Sequence, residues 1–244
     1  MSEYLAKFVA RCGAAARRKA VMLVKAGAVE VNGRVVTDPA FLVDAPSDII
    51  TLNNQQLHLP EDKVYIMLNK PRGYTTSHSD RHAQHLAYEL IDCPEAGRLV
   101  SAGRLDKDSE GLLIFSNDGD FIHHLEHPRY DVHKQYLVTA SIELDENARQ
   151  RMLRGIKDAG ETLKALQVTP VAGRKNCYLF ELNEGKKREI RRLLKANGAE
   201  TLQLQRIAIG PVKLGTLAPG QWRKLTTAET TSLLQAGTKT DRVH

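Results

Sequence analysis

Side chains able to do acid, base or metal chemistry are concentrated in the segment GRLDKDSEGLLIFSND, residues 103–118. Counting from Asp106, acidic or amide side chains stand at positions one, three, five and twelve, with a glycine at six. This pattern is close to a calcium-binding EF-hand loop. In an extended segment Asp106 and Asp108 would lie about 6.6 Å apart, a spacing suited to paired glycosidase acids. Asp106 is alternatively a single nucleophile or a turn residue.

The surrounding residues weaken the first two alternatives. An EF-hand loop needs a bidentate carboxylate at its twelfth position, where this chain has Asn117. The stretch LLIFS inside the proposed loop is apolar and partly β-branched, which indicates a strand. The stretch Lys107–Gly111 has the composition of a turn, in which Asp108 bonds to its own backbone. A catalytic carboxylate and a turn residue both stay open for Asp106.

Composition indicates a soluble globular protein without metal sites. The chain has 244 residues, 42% hydrophobic and 26% charged, enough for one large or two smaller domains. It contains no apolar run near the roughly 20 residues that cross a bilayer and no signal peptide, so we expect a cytoplasmic protein. The three cysteines lie far apart, and HHLEH at 123–127 lacks the HExxH order, which argues against zinc.

The positive charge is concentrated in two regions. The net charge is +6. Residues 1–34 carry seven basic and two acidic side chains, and seven minus two gives +5 of that total. The second region is EGKKREIRRLLKANG at 184–198. Two separate basic regions suit a polyanionic partner that reaches both.

The first of these regions has the pattern of a small helical module. Leu5, Phe8 and Val9 have helical spacing, ARRKAVMLVKAG repeats the arrangement, and Asn32-Gly33 favours a hairpin turn. This order of elements resembles the S-four-type (αL) RNA-binding module. The resemblance implies an RNA-binding face made by Arg17, Arg18, Lys19 and Lys25. The family's usual serine before the arginine pair is missing here, which weakens a helix cap.

A proline-containing segment, LHLPEDK, is expected to connect this module to a second domain. We therefore predict an RNA-binding domain at 1–60 and a second domain at 61–235, which the resemblance described below implies to be catalytic. Strands are indicated by VYIML, GLLIFS, KQYLVTAS, NCYLFEL and LQLQRIAI, and helices by DFIHHLEH, DENARQRMLRGI and KREIRRLLKANG. Because strands and helices do not alternate, we predict an α+β fold with a mixed, mainly antiparallel sheet and flanking helices.

Four motifs in the second domain resemble the RsuA-type pseudouridine synthases. AGRLDKDSEGLLIFSNDGDF resembles the family signature, and LNKPRGY resembles its first motif. HKQYLVTA is similar to the motif with the family's tyrosine, and LNEGKKREIRRLLKANG to the motif with its basic residue. The motifs occur in the family's order behind the expected RNA-binding module. The resemblance covers about residues 3–230 and implies a pseudouridine synthase fold.

The resemblance assigns roles to individual side chains. It implies that Asp106 is the catalytic carboxylate and that Tyr136 packs on the target base. Arg191 flanks the apolar stripe of its helix and is the expected partner of Asp106. Arg104 is expected to fill the space left by a flipped nucleotide, and Lys70 to line the same cleft. The remaining basic residues of the third motif, expected to point outward to phosphates, are Lys187, Arg188 and Arg192.

The implied function is the conversion of uridine to pseudouridine in ribosomal RNA. EGKKREIRRL resembles the large-subunit members of the family more than the small-subunit member. The isomerisation has no net redox change, so we expect no cofactor and no metal, and a monomeric enzyme. The alternative is a ribosome assembly factor that binds the same RNA without turnover. The sequence leaves open whether Asp106 attacks the sugar, attacks the base or removes a sugar proton.

Overall fold

The computed structural model describes residues 2–59, 62–77, 80 and 83–237. The chain divides into two compact units. One holds the described residues up to Val64 together with Asn117–Gly119, and the other holds the rest. The predicted domain boundary between Pro60 and Glu61 lies outside the described residues. Among the described residues, none of the helices has the length and apolar character required to span a bilayer.

The N-terminal unit is built from two helices and short strands. Their bounds are β1 Glu3–Tyr4, α1 Leu5–Arg11, α2 Arg17–Lys25, β2 Val29–Val31, β3 Arg34–Val35, β4 Leu42–Val43, β5 Ile50–Leu52 and β6 Gln55–Gln56. Strands β3-β2-β5-β6 form one sheet, and β1 pairs with β4. The predicted helix face is confirmed, since Leu5, Phe8 and Val9 are buried together. The hairpin turn is also confirmed, with Asn32 and Gly33 both at positive φ.

The second unit is organised around one nine-stranded sheet. Its strands are β7 Tyr65–Lys70, β8 Val100–Ser101, β9 Glu110–Ser116, β10 Lys134–Ala140, β13 Gln167–Pro170, β14 Cys177–Leu182, β15 Thr201–Ile209, β16 Val212–Lys213 and β17 Trp222–Lys224, and a separate hairpin is made by β11 Ile156–Asp158 and β12 Glu161–Leu163. The order is β13-β14-β10-β15-β9-β7-β17, with β16 beside β15 and β8 beside β9.

Four α-helices accompany this sheet in the described part of the chain: α3 Gly119–Glu126, α4 Glu146–Arg154, α5 Glu189–Lys195 and α6 Thr227–Gln235. Three short 3-10 helices are formed by Ala87–Leu90, Ala96–Arg98 and Pro128–Tyr130. Every pairing in the sheet is antiparallel except that of β9 with β15. The predicted α+β fold is therefore confirmed. Phe121 and Leu125 of α3 and Leu233 of α6 pack against Leu112 and Ile114 of β9 in one hydrophobic cluster.

The parallel pair requires a glycine. Gly111 pairs with Arg206 and has φ of +104°, and a Cβ at this position would lie 2.2 Å from the Arg206 carbonyl oxygen. No side chain fits so close to a backbone. The glycine of the GLL motif therefore lets β15 join β9, and β9 carries the turn that holds Asp106.

Two β-bulges shape the join between β10 and β15. Gln135 pairs with Ala208 but Tyr136 pairs with Arg206, which leaves Ile207 as an extra residue. Thr139 pairs with Gln203 and Ala140 with Thr201, which leaves Leu202 unpaired in the same way. A bulge shifts the alternation of side chains along its strand. The first bulge thus brings Arg206 to the side of the sheet that carries Tyr136.

Candidate active site

Asp106 begins a tight turn that is stabilised by hydrogen bonds from Ser109, Thr76 and Gly73. The Ser109 amide donates to the Asp106 carbonyl at 3.0 Å. Thr76 Oγ1 donates to the Leu105 carbonyl at 3.0 Å and accepts from the Leu105 amide at 3.3 Å. The Gly73 amide donates to the Lys107 carbonyl at 2.8 Å. Asp106 is therefore a turn residue, as one of the alternatives held, and the turn fixes the position of its carboxylate.

Two guanidinium groups face this carboxylate. Arg188 Nη1 lies 3.5 Å from Asp106 Oδ2, and Arg191 Nε lies 3.7 Å from the same oxygen. The Asp106 side chain is 37% exposed and the Arg191 side chain 14% exposed. The two cations therefore lie on one side of the carboxylate, within ion-pair distance. The carboxylate remains accessible to a ligand.

Arg191 is held at the turn by one of its nitrogen atoms, Nη2. Its Nη2 donates to the Asp108 carbonyl at 3.1 Å and to Ser109 Oγ at 3.3 Å. Its Nε is buried and has no hydrogen-bond partner. Burial, followed by the neighbouring Arg188, lowers the pKa of Arg191 below its usual value, while Asp106 acts in the opposite direction. A guanidinium remains charged despite such a shift.

Asp106 opens into a cleft of about 450 Å³. Tyr136, 7% exposed, and Leu204 form part of its wall. Arg104 and Lys187 also line it, and both are exposed. The cleft therefore brings together six of the predicted residues, which are Arg104, Asp106, Tyr136, Lys187, Arg188 and Arg191. A carboxylate, an aromatic ring and several guanidinium groups suit a flat, partly anionic ligand such as a nucleotide.

Two of the residues predicted to point outward to phosphates do not do so in the structure. Arg188 was expected to point outward, but it has a left-handed backbone with φ of 53° at the start of α5 and turns into the cleft. Arg192 was expected to be available for phosphate. Instead its Nε lies 2.5 Å from Asp158 Oδ2 and its Nη1 2.6 Å from Glu161 Oε2. The expectation that Arg192 points outward is wrong, because this side chain joins α5 to the β11–β12 hairpin. Its binding to RNA stays a prediction.

Lys70 does not line the cleft, in contrast to the prediction. Its side chain is fully buried, and Nζ donates to the carbonyl oxygens of Pro71 at 2.9 Å and Tyr74 at 2.7 Å. Burial lowers the pKa of Lys70 from 10.5 to about 8, although Glu110 and Asp106 act in the opposite direction. Lys70 therefore supports the 71–74 segment from inside the fold.

Several buried polar residues near the site were missed by the sequence analysis. Thr76 and Ser109 are buried and hold the Asp106 turn, and no signal in the sequence distinguishes them from ordinary turn residues. Arg206 is 3% exposed, and its Nε donates to the Leu112 carbonyl at 2.7 Å. Its place inside the apolar strand LQLQRIAI was the available signal.

The four predicted RNA-binding residues of the N-terminal unit are all exposed. Arg17, Arg18, Lys19 and Lys25 belong to α2. Helix α2 begins after Ala16, which provides no side-chain cap, as the missing serine led us to expect. Within the described residues, no group of three or more His, Cys, Asp or Glu side chains could hold a metal ion.

Comparison with protein families decides the class of the chain. The family described as "RNA pseudouridylate synthase" matches residues 64–196, which include the whole Asp106 turn and the cleft residues of α5. The chain belongs to the RNA pseudouridylate synthase family. The S4 domain matches residues 5–50 of this synthase. These matches confirm the predicted resemblance to RsuA-type enzymes that carry an S4 domain.

Individual relatives agree with this assignment over nearly the whole chain. The synthase is 34% identical to "Ribosomal large subunit pseudouridine synthase B" of Bacillus subtilis (strain 168), covering 93% of each chain. It is also 34% identical to "Ribosomal small subunit pseudouridine synthase A" of Pasteurella multocida (strain Pm70), covering 92% of this chain and 97% of the relative. A crystal structure of a pseudouridylate synthase superposes with a TM-score of 0.69 at 31% identity, covering 94% of this chain and 99% of that one.

The synthase is accordingly an isomerase that acts on RNA. Pseudouridine forms when the bond between uracil N1 and the ribose breaks and a bond from uracil C5 to the same ribose carbon takes its place. N1 gains a proton and C5 loses one, so atoms and electrons balance without an oxidant or a reductant. The reaction needs a reactive group near the sugar, a cation beside it and a surface that retains the detached base.

Proposed function

We propose that the synthase isomerises a uridine of ribosomal RNA, with Asp106 acting on a nucleotide that has left its stack. The observation that carries the proposal is the position of Asp106 Oδ2 beside Arg188 and Arg191, at 3.5 Å and 3.7 Å, in the cleft that Tyr136 lines. This arrangement supplies the charged carboxylate, the cations and the aromatic surface that the isomerisation needs.

Asp106 is the reacting group in this proposal. Its turn is fixed by Thr76 and Gly73, so the carboxylate does not have to be reoriented when RNA binds. Arg191 places a positive charge beside the carboxylate and is in turn positioned by the Asp108 carbonyl. Three routes fit this geometry. The carboxylate attacks the sugar carbon, attacks the uracil ring, or removes a sugar proton, and each ends in the same exchange of bonds.

Tyr136 holds the flipped nucleotide, and Arg104 fills the gap that this nucleotide leaves in the RNA stack. Tyr136 is almost fully buried in the cleft wall, so its ring offers a fixed face for the detached uracil. Arg104 is exposed at the cleft, and its guanidinium plane can occupy the gap in the RNA stack. Flipping a base costs a few kcal/mol, part of which this stacking offsets.

Phosphate contacts supply most of the affinity in this proposal. Lys187 and Arg188 lie at the cleft, and the exposed basic residues of α2 belong to the unit matched by the S4 domain. Contacts of this kind position an RNA without reading its sequence. Because the reaction is redox-neutral, we also propose that the synthase needs no cofactor. We further propose a monomer that works in the cytoplasm, where ribosomes assemble.

We favour large-subunit RNA as the substrate. The segment EGKKREIRRL resembles the large-subunit members more closely. Relatives named for the large and the small subunit are equally identical to this chain, so the segment rather than the overall identity supports the preference.

Mapping pseudouridine on unmodified ribosomal RNA tests the proposal. The RNA of each subunit is incubated with the synthase, treated with carbodiimide and read by primer extension. We expect one new stop in large-subunit RNA, lost with Asp106→Asn while RNA binding is retained. A stop in small-subunit RNA alone would contradict the preference for the large subunit. No stop on naked RNA or on assembly intermediates would favour the alternative, a non-catalytic assembly factor.

A further inference from the structure

A second cavity, of about 310 Å³, lies beside the catalytic cleft. We call it the flank pocket. Its wall includes Arg72, Asp108, Glu110, Leu202, Gln203 and Leu204. Leu204 also lines the catalytic cleft, so the two spaces share a wall. Asp108 follows Asp106 by two residues, a stretch of chain that spans at most about 7 Å. The flank pocket is therefore within reach of a nucleotide next to the one at Asp106.

The backbone explains why this space is open. Strand β15 begins at Thr201, but only two of its residues pair with β9: Gln205 pairs with Glu110, and Arg206 pairs with Gly111. Leu202 is the extra residue of a β-bulge opposite Thr139 and Ala140, and its side chain is 54% exposed. β9 begins at Glu110, opposite Gln205, so residues 202–204 of β15 have no partner in β9. The gap beside them is the flank pocket. Bulges next to active sites commonly redirect side chains.

The chemistry of the lining fits a base better than a phosphate. Glu110 Oε1 accepts a hydrogen bond from Gln203 Nε2 at 2.6 Å. The other Glu110 oxygen and the Gln203 carbonyl oxygen are acceptors. Asp108 and Glu110 place two carboxylates around the space, which repels a phosphate. Arg72 adds a guanidinium plane on which a base can stack.

We propose that the flank pocket binds the base of a nucleotide adjacent to the target uridine and prefers a base with an exocyclic amino group. Adenine, cytosine and guanine each carry such a group, and uracil has none. The amino group donates to Glu110, as carboxylates accept from amino groups of bases. This inference rests on the proposed function, because it concerns the RNA that the catalytic cleft holds.

The test measures turnover and binding on the same RNA set. After the modified uridine has been mapped, each of the four bases is placed in turn on its 5′ and 3′ sides in an RNA fragment. Turnover is measured as the release of tritium from RNA labelled at uridine C5. The new carbon–carbon bond displaces the hydrogen on that carbon. Binding is measured with the same fragments in the Asp106→Asn background. Glu110→Gln removes the carboxylate charge at constant size, and Asp92→Asn, an exposed carboxylate outside both cavities, is the matched control.

We expect the wild-type synthase to disfavour uracil at one flanking position by about tenfold in kcat/KM. Glu110→Gln should remove this preference, whereas Asp92→Asn should keep it. Equal kcat/KM for all four bases at both positions, or a preference that Glu110→Gln leaves intact, would overturn the inference but not the proposed function. If the wild-type synthase modifies no RNA, the proposed function fails, and the binding series with short oligoribonucleotides containing a central uridine still decides the base preference.

Discussion

Arg191 directs its Nε towards Asp106 Oδ2 across 3.7 Å, a distance longer than a hydrogen bond. The same guanidinium is held by the Asp108 carbonyl through Nη2. Arg191 therefore stays in place without saturating the carboxylate. Catalytic hydrogen bonds are often long in the free enzyme and shorten when substrate binds. The pair is thus suited to accept a ligand without rearrangement of the turn.

Adjacent arginines on α5 should give different phenotypes. Arg191→Gln removes the charge next to Asp106 and should lower kcat about 100-fold, with a smaller change in KM, because the charge acts on the reacting group. Arg192→Gln should leave kcat intact and lower the urea concentration at the unfolding midpoint, since Arg192 pairs with Asp158 and Glu161. Tritium release and urea unfolding measure the two effects. Equal kcat values for the two variants would contradict the assignment of Arg191.

The basic face of α2 should control the salt dependence of RNA binding. Arg18 and Lys19 are exposed on this helix. Replacing both with glutamine should lower the slope of log Kd against log salt by about 1 for each lost phosphate contact. The control is Lys213→Gln, an exposed lysine on β16 outside the cleft. A slope equal to that of the wild-type synthase would show that α2 does not contact phosphate.

Gly111→Ala should be strongly destabilising. The new methyl group would lie 2.2 Å from the Arg206 carbonyl oxygen in a backbone with φ of +104°. The steric overlap and the strained backbone both destabilise the folded state. We therefore expect a loss of about 3 kcal/mol or more in the free energy of unfolding. Gly97→Ala is the matched control, because nothing lies within 4 Å of its position. A loss below about 1 kcal/mol for Gly111→Ala would contradict the described β9–β15 pairing.

Lys70 should make stability depend on pH. Its pKa is lowered from 10.5 to about 8 by burial. Between these values the unfolded chain binds the proton that the folded protein releases, so stability rises with pH across this window. Relative to Lys70→Met, the wild-type free energy of unfolding should increase by at most about 3 kcal/mol from pH 8 to pH 10.5. Urea unfolding of both proteins at several pH values measures the difference. A constant difference would contradict the lowered pKa.

Local patterns in the sequence predicted most elements correctly. Leu5, Phe8 and Val9 identified the buried face of α1, and Asn32-Gly33 identified the hairpin turn. The run GLLIFS identified β9, and this strand removes the EF-hand alternative because Glu110–Ser116 is extended where a calcium loop would coil. These features depend on residues close together in the chain, which is why periodicity and turn composition predict them.

The errors concern contacts between residues far apart in the chain. Arg192 pairs with Asp158 and Glu161, more than thirty positions earlier. Helical periodicity placed Arg192 on the exposed side of α5, but it cannot show that a hairpin covers that side. Lys70 is the last residue of the apolar strand β7, and its amine is bound by the carbonyl oxygens of Pro71 and Tyr74 in the segment that follows. The parallel β9–β15 pair depends on a close approach at Gly111, which no local pattern reports.

The bulge at Ile207 has a consequence for how the family can diversify. One additional residue in β15 sets which side of the sheet Arg206 takes, and thereby what lies opposite Tyr136. Loss of that residue, or gain of another nearby, would exchange inward and outward side chains along the rest of the strand. Length changes in evolution should therefore be excluded from β15 and accumulate in connecting loops, where new RNA targets can be acquired without disturbing the chemistry.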